Sequence, residues 1–200
     1  MTTQSSNPEA SLYASPPDIN ALLGAHAPHW LIKSCEYHFK NNIVEYVTHV
    51  VGKAARLLGP ASEKVALSWA QETLTEERID NCVTNLAIKA SKALDDLSEA
   101  LAYYHEDPDI QHHYVFGVIA NRDSIESDLQ FMQRIAPNHP KMRFIREHLE
   151  HLDQELRNNK WLLAKPLTDP NEPDEADIAQ FRFIRNRCPD AWWLHQAQLN

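Results

Sequence analysis

Glycine is scarce, with 4 residues in 200, and Gly24, Gly52, Gly59 and Gly117 lie too far apart to build a phosphate-cradling loop. Cys35, Cys82 and Cys188 are odd in number and widely spaced, so they support neither a disulfide scaffold nor a zinc finger, and they read as reduced thiols of a cytoplasmic protein. Positive charge is in deficit: 19 Lys and Arg face 28 Asp and Glu, a formal charge of −9. Neither nucleic acid nor an anionic membrane is therefore expected as a partner. No apolar run approaches the length of a spanning helix. Residues 1–17 carry neither a charged nor an apolar leader region and, being rich in Ser, Thr, Asn and Pro, read as a disordered tail.

What is present is helical periodicity. Apolar residues recur every third or fourth position and predict an all-α bundle of five to six helices over residues 18–165. Asp18 is the expected cap of a short first helix. The row Cys35, Phe39, Ile43, Val47, Val50, Ala54 predicts one long helix over 30–58, stopped by Gly59-Pro60. Ser62 is expected to start a shorter helix, and Thr73 with Glu76 has capping-box spacing for a second long helix over 76–105. The row Val115, Val118, Ile125, Leu129, Met132 follows a cap at Asp109. Gly117 and the polar run Asn121-Arg122-Asp123-Ser124 leave open whether this stretch is one helix or two. A third long helix is expected near 140–163, with Asn138 as cap and Pro140 in its first turn. The core should hold Phe39, Val47, Leu86, Leu97, Leu129, Ile145 and Leu152. Residues 166–177 are acidic and proline-rich and read as a linker. Residues 178–200 form a docking segment whose aromatic load is too large to leave in water. Fixed-period repeats are absent from the sequence.

Eleven histidines raise the question of a metal site. Two carboxylate-histidine pairs stand one turn apart, Glu45 with His49 and Glu147 with His151. Glu45 and His49 each lie two residues from Val47, about 200° around the helix, and are expected to form a solvated pair. His148 and His151 lie beside Leu149 and Leu152, on a flank shared with Phe144. If any histidines meet an ion, these do, with His112 and Glu126 able to complete the set from a neighbouring helix and iron as the metal; the alternative is satisfied or surface histidines. The i, i+4 spacing departs from the Glu-x-x-His repeat of di-iron bundles.

Asp95-Asp96-Leu97-Ser98-Glu99 resembles the aspartate-rich helix that holds magnesium and diphosphate in prenyl-diphosphate and terpene enzymes. Those enzymes need a second acidic motif that is missing here, and Asp95 and Glu99 are expected on a solvent face. Asp128-Leu129-Gln130-Phe131-Met132 and Phe144-Ile145-Arg146-Glu147-His148-Leu149 resemble pieces of the all-helical cytoplasmic chaperones that mature molybdenum-containing redox enzymes. The Glu-Pro-x-Asp-His signature of that family is absent, and Glu106-Asp107-Pro108-Asp109 only echoes it. The resemblance implies a class of work, the binding of another protein.

Two functions are expected to compete. The first is a cytoplasmic helical accessory protein that binds another protein through Phe181, Phe183, Arg185, Trp192 and Trp193. The same cluster could instead cover one end of its own bundle. The second is a non-haem iron oxygenase of the di-iron type.

Overall fold

The computed structural model describes residues 12–106, 108–163 and 175–196, and leaves out the side chains of 108–113 and 175–177. Nine α-helices occur among the described residues, and a β-bridge between Tyr13 and Ile43 is the isolated extended pairing. The all-α class is as the periodicity predicts. The helix count is higher because the helix expected over 30–58 is divided and short terminal helices are added. No helix among the described residues is long and apolar enough to cross a membrane.

The chain forms two compact units, one from residues 1–85 with 127–139 and the other from 86–126 with 140–200. In the first, Asp18 Oδ1 accepts the Ala21 N–H at 2.8 Å and so caps α1 (Ile19–Leu23), as its position before the first apolar turn requires. The next stretch is α2 (His29–Asn41) followed by α3 (Val44–Leu58), a correction to the single helix expected over 30–58. Asn42 adopts the left-handed conformation (φ 51°) and its N–H returns to the His38 carbonyl, ending α2. Asparagine tolerates that conformation where a β-branched residue would not. Across the two-residue corner the apolar spacing is unbroken, which is why the row did not disclose it.

The corner is clasped by residues expected to belong to a disordered tail. Ala14 N–H donates to the Asn42 carbonyl at 2.9 Å, and Val44 N–H donates to the Leu12 carbonyl at 3.0 Å. Trp69 Nε1 donates to the Ser15 carbonyl at 2.7 Å, and the Arg78 guanidinium donates to the carbonyls of Tyr13 and Thr73. Ala14 is buried beneath this strap. The tail expectation for residues 1–11 lies outside the described residues.

Gly59 (φ 91°) ends α3 and immediately precedes α4 (Pro60–Thr73), whose first residue is the proline. The helix thus begins two residues before Ser62, because proline's fixed φ suits the first helical position. The cap of α5 (Glu76–Tyr103) is Thr75, whose hydroxyl accepts the Arg78 N–H at 3.3 Å, not Thr73. Phe39 is half-buried, whereas the other six expected core residues are buried.

In the second unit α6 (Pro108–Ile135) runs unbroken through Gly117 and the polar run. Its C-terminal end, from Ser127, belongs to the first unit. Helix α7 (Lys141–Asn158) begins after Pro140, so Asn138 is not its cap, and a 3-10 turn (Lys160–Leu162) follows. Its buried row of Met142, Ile145, Leu149, Leu152 and Leu156 repeats the sequence pattern. The linker expected over 166–177 lies almost wholly outside the described residues, except that α8 (Glu175–Arg187) already begins within it. Helix α9 (Trp192–Gln196) closes the described chain.

Leu97 and Leu149 are 0% and 4% exposed. Replacing either with alanine should cost about 2 to 5 kcal/mol in urea denaturation, through lost transfer energy and the cavity left behind. Burial also pushes the Cys35 thiol up from 9.0 to about 12. The thiol stays neutral in the fold while the unfolded thiol ionises, so stability is fully present below pH 9 and declines as pH rises towards 12. Denaturation between pH 8 and 11 should show this loss, up to about 1.4 kcal/mol per pH unit, and Cys35→Val should remove that share of the slope.

Candidate functional site

The charged residues of the second unit that lie in phase with its apolar rows form its most organised cluster. Arg122 follows Val118 by four residues and precedes Ile125 by three, so it faces the same way as the row. Its side chain is only 5% exposed. Asp153 sits between Leu149 and Leu156 on α7 in the same manner and is buried. Arg122 Nε and Nη2 donate to Asp153 Oδ1 and Oδ2 at 2.7 and 2.9 Å, a two-pronged pairing that fixes both side chains. Arg122 Nη1 donates to Glu126 Oε2, one turn along α6, at 2.7 Å. The guanidinium carbon lies 3.7 Å from the centre of the Trp193 ring, which closes over it. Burial opposes the charge of Arg122, but the hydrogen bonds and charge of Asp153, then those of Glu126, outweigh it and hold its pKa above the ordinary arginine value.

Around this anchor the C-terminal segment folds onto its own unit. Phe181 is 2% exposed and meets Phe116 edge-on at 5.2 Å, and Trp193 is 1% exposed. Each such ring removes about 150 to 250 Å² from water, an upper bound near 4 to 6 kcal/mol apiece. Of the five residues expected to meet a partner, Phe181 and Trp193 are thus interior, a correction to their expected role. Phe183, Arg185 and Trp192 remain half exposed. Arg187 stands over the Phe183 ring at 5.4 Å and Arg157 over the Trp192 ring at 4.4 Å.

The four expected metal ligands have other surroundings. Glu126 is engaged by Arg122. The His148 ring lies 3.9 Å from Phe144, with Nδ1 3.0 Å from the Phe144 carbonyl oxygen. His151 is 62% exposed and 4.0 Å from Glu155. His112 lies on α6, but its side chain is outside the described residues. Among the described residues no three His, Cys, Asp or Glu side chains stand close enough to hold an ion. Asp95 and Glu99 are exposed, as the solvent-face reading expects.

In the first unit, the solvated pair expected for Glu45 and His49 is corrected. His49 Nδ1 lies 2.8 Å from Asp128 Oδ1, with the two side chains 19% and 11% exposed. Thr48, Val51 and Gly52 are also buried, so the covered face of α3 is wider than one row and reaches the flank of His49. One residue before Asp128, Ser127 Oγ accepts a hydrogen bond from Arg56 Nη1 at 2.9 Å. Comparison with protein-family models, curated proteins and solved structures finds no match to this chain.

Truncating Asp153 to alanine should cost about 3 to 5 kcal/mol, because Arg122 would stay buried with only Glu126 to compensate its charge. Replacing both partners, Arg122→Met with Asp153→Leu, should cost less than Asp153→Ala alone. Denaturation followed by tryptophan fluorescence measures both, and equal losses would remove the coupling assigned to the pair.

Proposed function

We propose that this protein acts by binding another protein, and that the half-exposed basic and aromatic face of α8 and α9 meets an acidic segment of that partner. The observation that carries this reading is a local reversal of charge. Residues 178–196 hold Arg182, Arg185 and Arg187 against Asp190, within a chain of net charge −9. Arg187 stands over the Phe183 ring, and Arg157 from α7 stands over the Trp192 ring. Flat rings beside guanidinium groups lose little rotamer freedom on binding, which favours them as anchors. The buried rings beneath them hold the segment in place, so the exposed ones need not be ordered by the partner.

A cytoplasmic accessory role fits the three cysteines, which are buried and not joined in disulfides. The non-haem iron alternative draws no comparable support, since Glu126 already serves Arg122 and His151 stands largely in solvent.

Peptides selected from a displayed random library on the full chain should be enriched in Asp and Glu. The variant Phe183→Ser with Arg185→Glu should bind them at least about tenfold more weakly while melting within a few degrees of the wild type. Peptides without acidic enrichment, or with equal affinity for the variant, would overturn the reading.

A further inference from the structure

Three arginines on or beside the face of α8 and α9 have no counter-ion. Among the described residues, Arg157, Arg185 and Arg187 neither donate a hydrogen bond nor meet a carboxylate, although acids outnumber bases in the chain by 28 to 19. Each carries five N–H donors and a charge it cannot shed. Arg157, exposed on α7, rests on the indole of Trp192 with its guanidinium carbon 4.4 Å from the ring centre. Arg187, exposed at the end of α8, stands over the Phe183 ring at 5.4 Å, and Arg185 is half-buried. Contact with a ring restrains the long side chain and leaves most of its donors open to a further partner. Five residues of chain separate Arg187 from Trp192, so their Cα atoms stand within about 17 Å, a span that about five residues of extended peptide can cover.

The open donors discriminate between kinds of acid. A glutamate brings one charge and two oxygens, enough for one guanidinium fork. A phosphorylated side chain brings a charge of about −1.5 to −2 and three oxygens in one residue, so it answers more donors at each point of contact. The rest of the chain also favours concentrated charge. A long run of carboxylates extends past the three arginines onto a protein of net charge −9, whereas a phosphate places its charge at the fork alone. The same net charge opposes an anionic lipid surface as the source of the phosphate, because such a surface meets the acids together with the arginines.

We infer that the acidic segment bound by α8 and α9 is a phosphorylated one. Its phosphate is gripped by the guanidinium of Arg157, held in place on Trp192, while Arg185 and Arg187 take neighbouring acids. This rests on the reading that α8 and α9 bind an acidic segment of another protein.

The probes are labelled peptides selected on the full chain from a library with a fixed central phosphoserine or phosphotyrosine. Each is titrated beside a copy with glutamate at that position. The phosphorylated peptide should bind at least about tenfold tighter than its glutamate copy. Arg157→Lys keeps the charge but loses the planar fork, and it should bring the two peptides within about threefold of each other while melting within a few degrees of the wild type. Arg157→Gln should do the same. A phosphate preference that survives both substitutions would overturn the assignment. Equal binding of the phosphorylated and glutamate peptides would overturn the inference and leave the acidic-segment reading standing, whereas binding of neither would remove both. Capture of the protein by phosphatidylcholine vesicles containing phosphatidylinositol phosphate, with the peptides inert, would also overturn it.

Discussion

A guanidinium withdrawn from water governs the second unit. Arg122 cannot shed its proton, so burial leaves only compensation by fixed partners. Glu126 supplies part of this from the same helix, which costs no long-range contact. The larger share comes from Asp153, whose two oxygens match the two nitrogens of Arg122 only when α7 presents that residue at one rotation and one height. Trp193 then excludes water and strengthens both pairings by lowering the local dielectric. A well-packed apolar substitute could be as stable, since desolvation consumes much of the Coulomb gain. What the charge adds is intolerance of error: a slipped α7 leaves an ion without its main partner in the interior, and an undocked α9 opens the pairings to water. The C-terminal segment is accordingly held by a polar anchor as well as by its buried rings.

The first unit solves a different problem, the corner between α2 and α3. Breaking a helix exposes carbonyls at one end and N–H groups at the other, and both must find partners. The extended residues 12–15 serve as that partner. They are aligned by backbone hydrogen bonds to Asn42 and Val44 and pinned at their carbonyls by Trp69 and Arg78. Gly59 handles the next reversal, because a left-handed residue followed by proline ends one helix and starts another without an intervening loop.

Spacing disclosed the helices and most of the core, since burial of one stripe is a local property of each segment. It did not disclose Asn42 as a corner, because an interruption that preserves the apolar phase is invisible to a periodicity test. Nor did it disclose the polar cluster. The polar run around Arg122 and Asp123 leaves one helix or two open, because charge alone does not say whether a helix continues. The discriminating signal was present: Arg122 and Asp153 have opposite charge, and each falls in phase with the apolar row of its own helix. His49 was placed by its angle from Val47, which fails when the buried face of α3 is wide enough to include Thr48 and Val51. The docking of Phe181 and Trp193 depends on where other elements stand. No pattern within residues 178–196 separates a ring that turns inward from one that faces a partner.

The acidic surface and the basic face of α8 and α9 pull in opposite directions on any acidic partner. At long range the net charge of −9 repels it. At physiological salt, charges separated by more than about 8 Å are largely screened, so this repulsion is weak until the two surfaces are close. Once rings and guanidinium groups touch the partner, water leaves the pairings and they strengthen. On the proposed reading, the balance favours a complex stabilised by contact and not by attraction at a distance. It disfavours loose accumulation of any polyanion, because partners that cannot reach Phe183 and Trp192 meet the repulsion without the contact gain. On the proposed reading, the excess of 28 acidic over 19 basic residues in the chain is itself a means of selection.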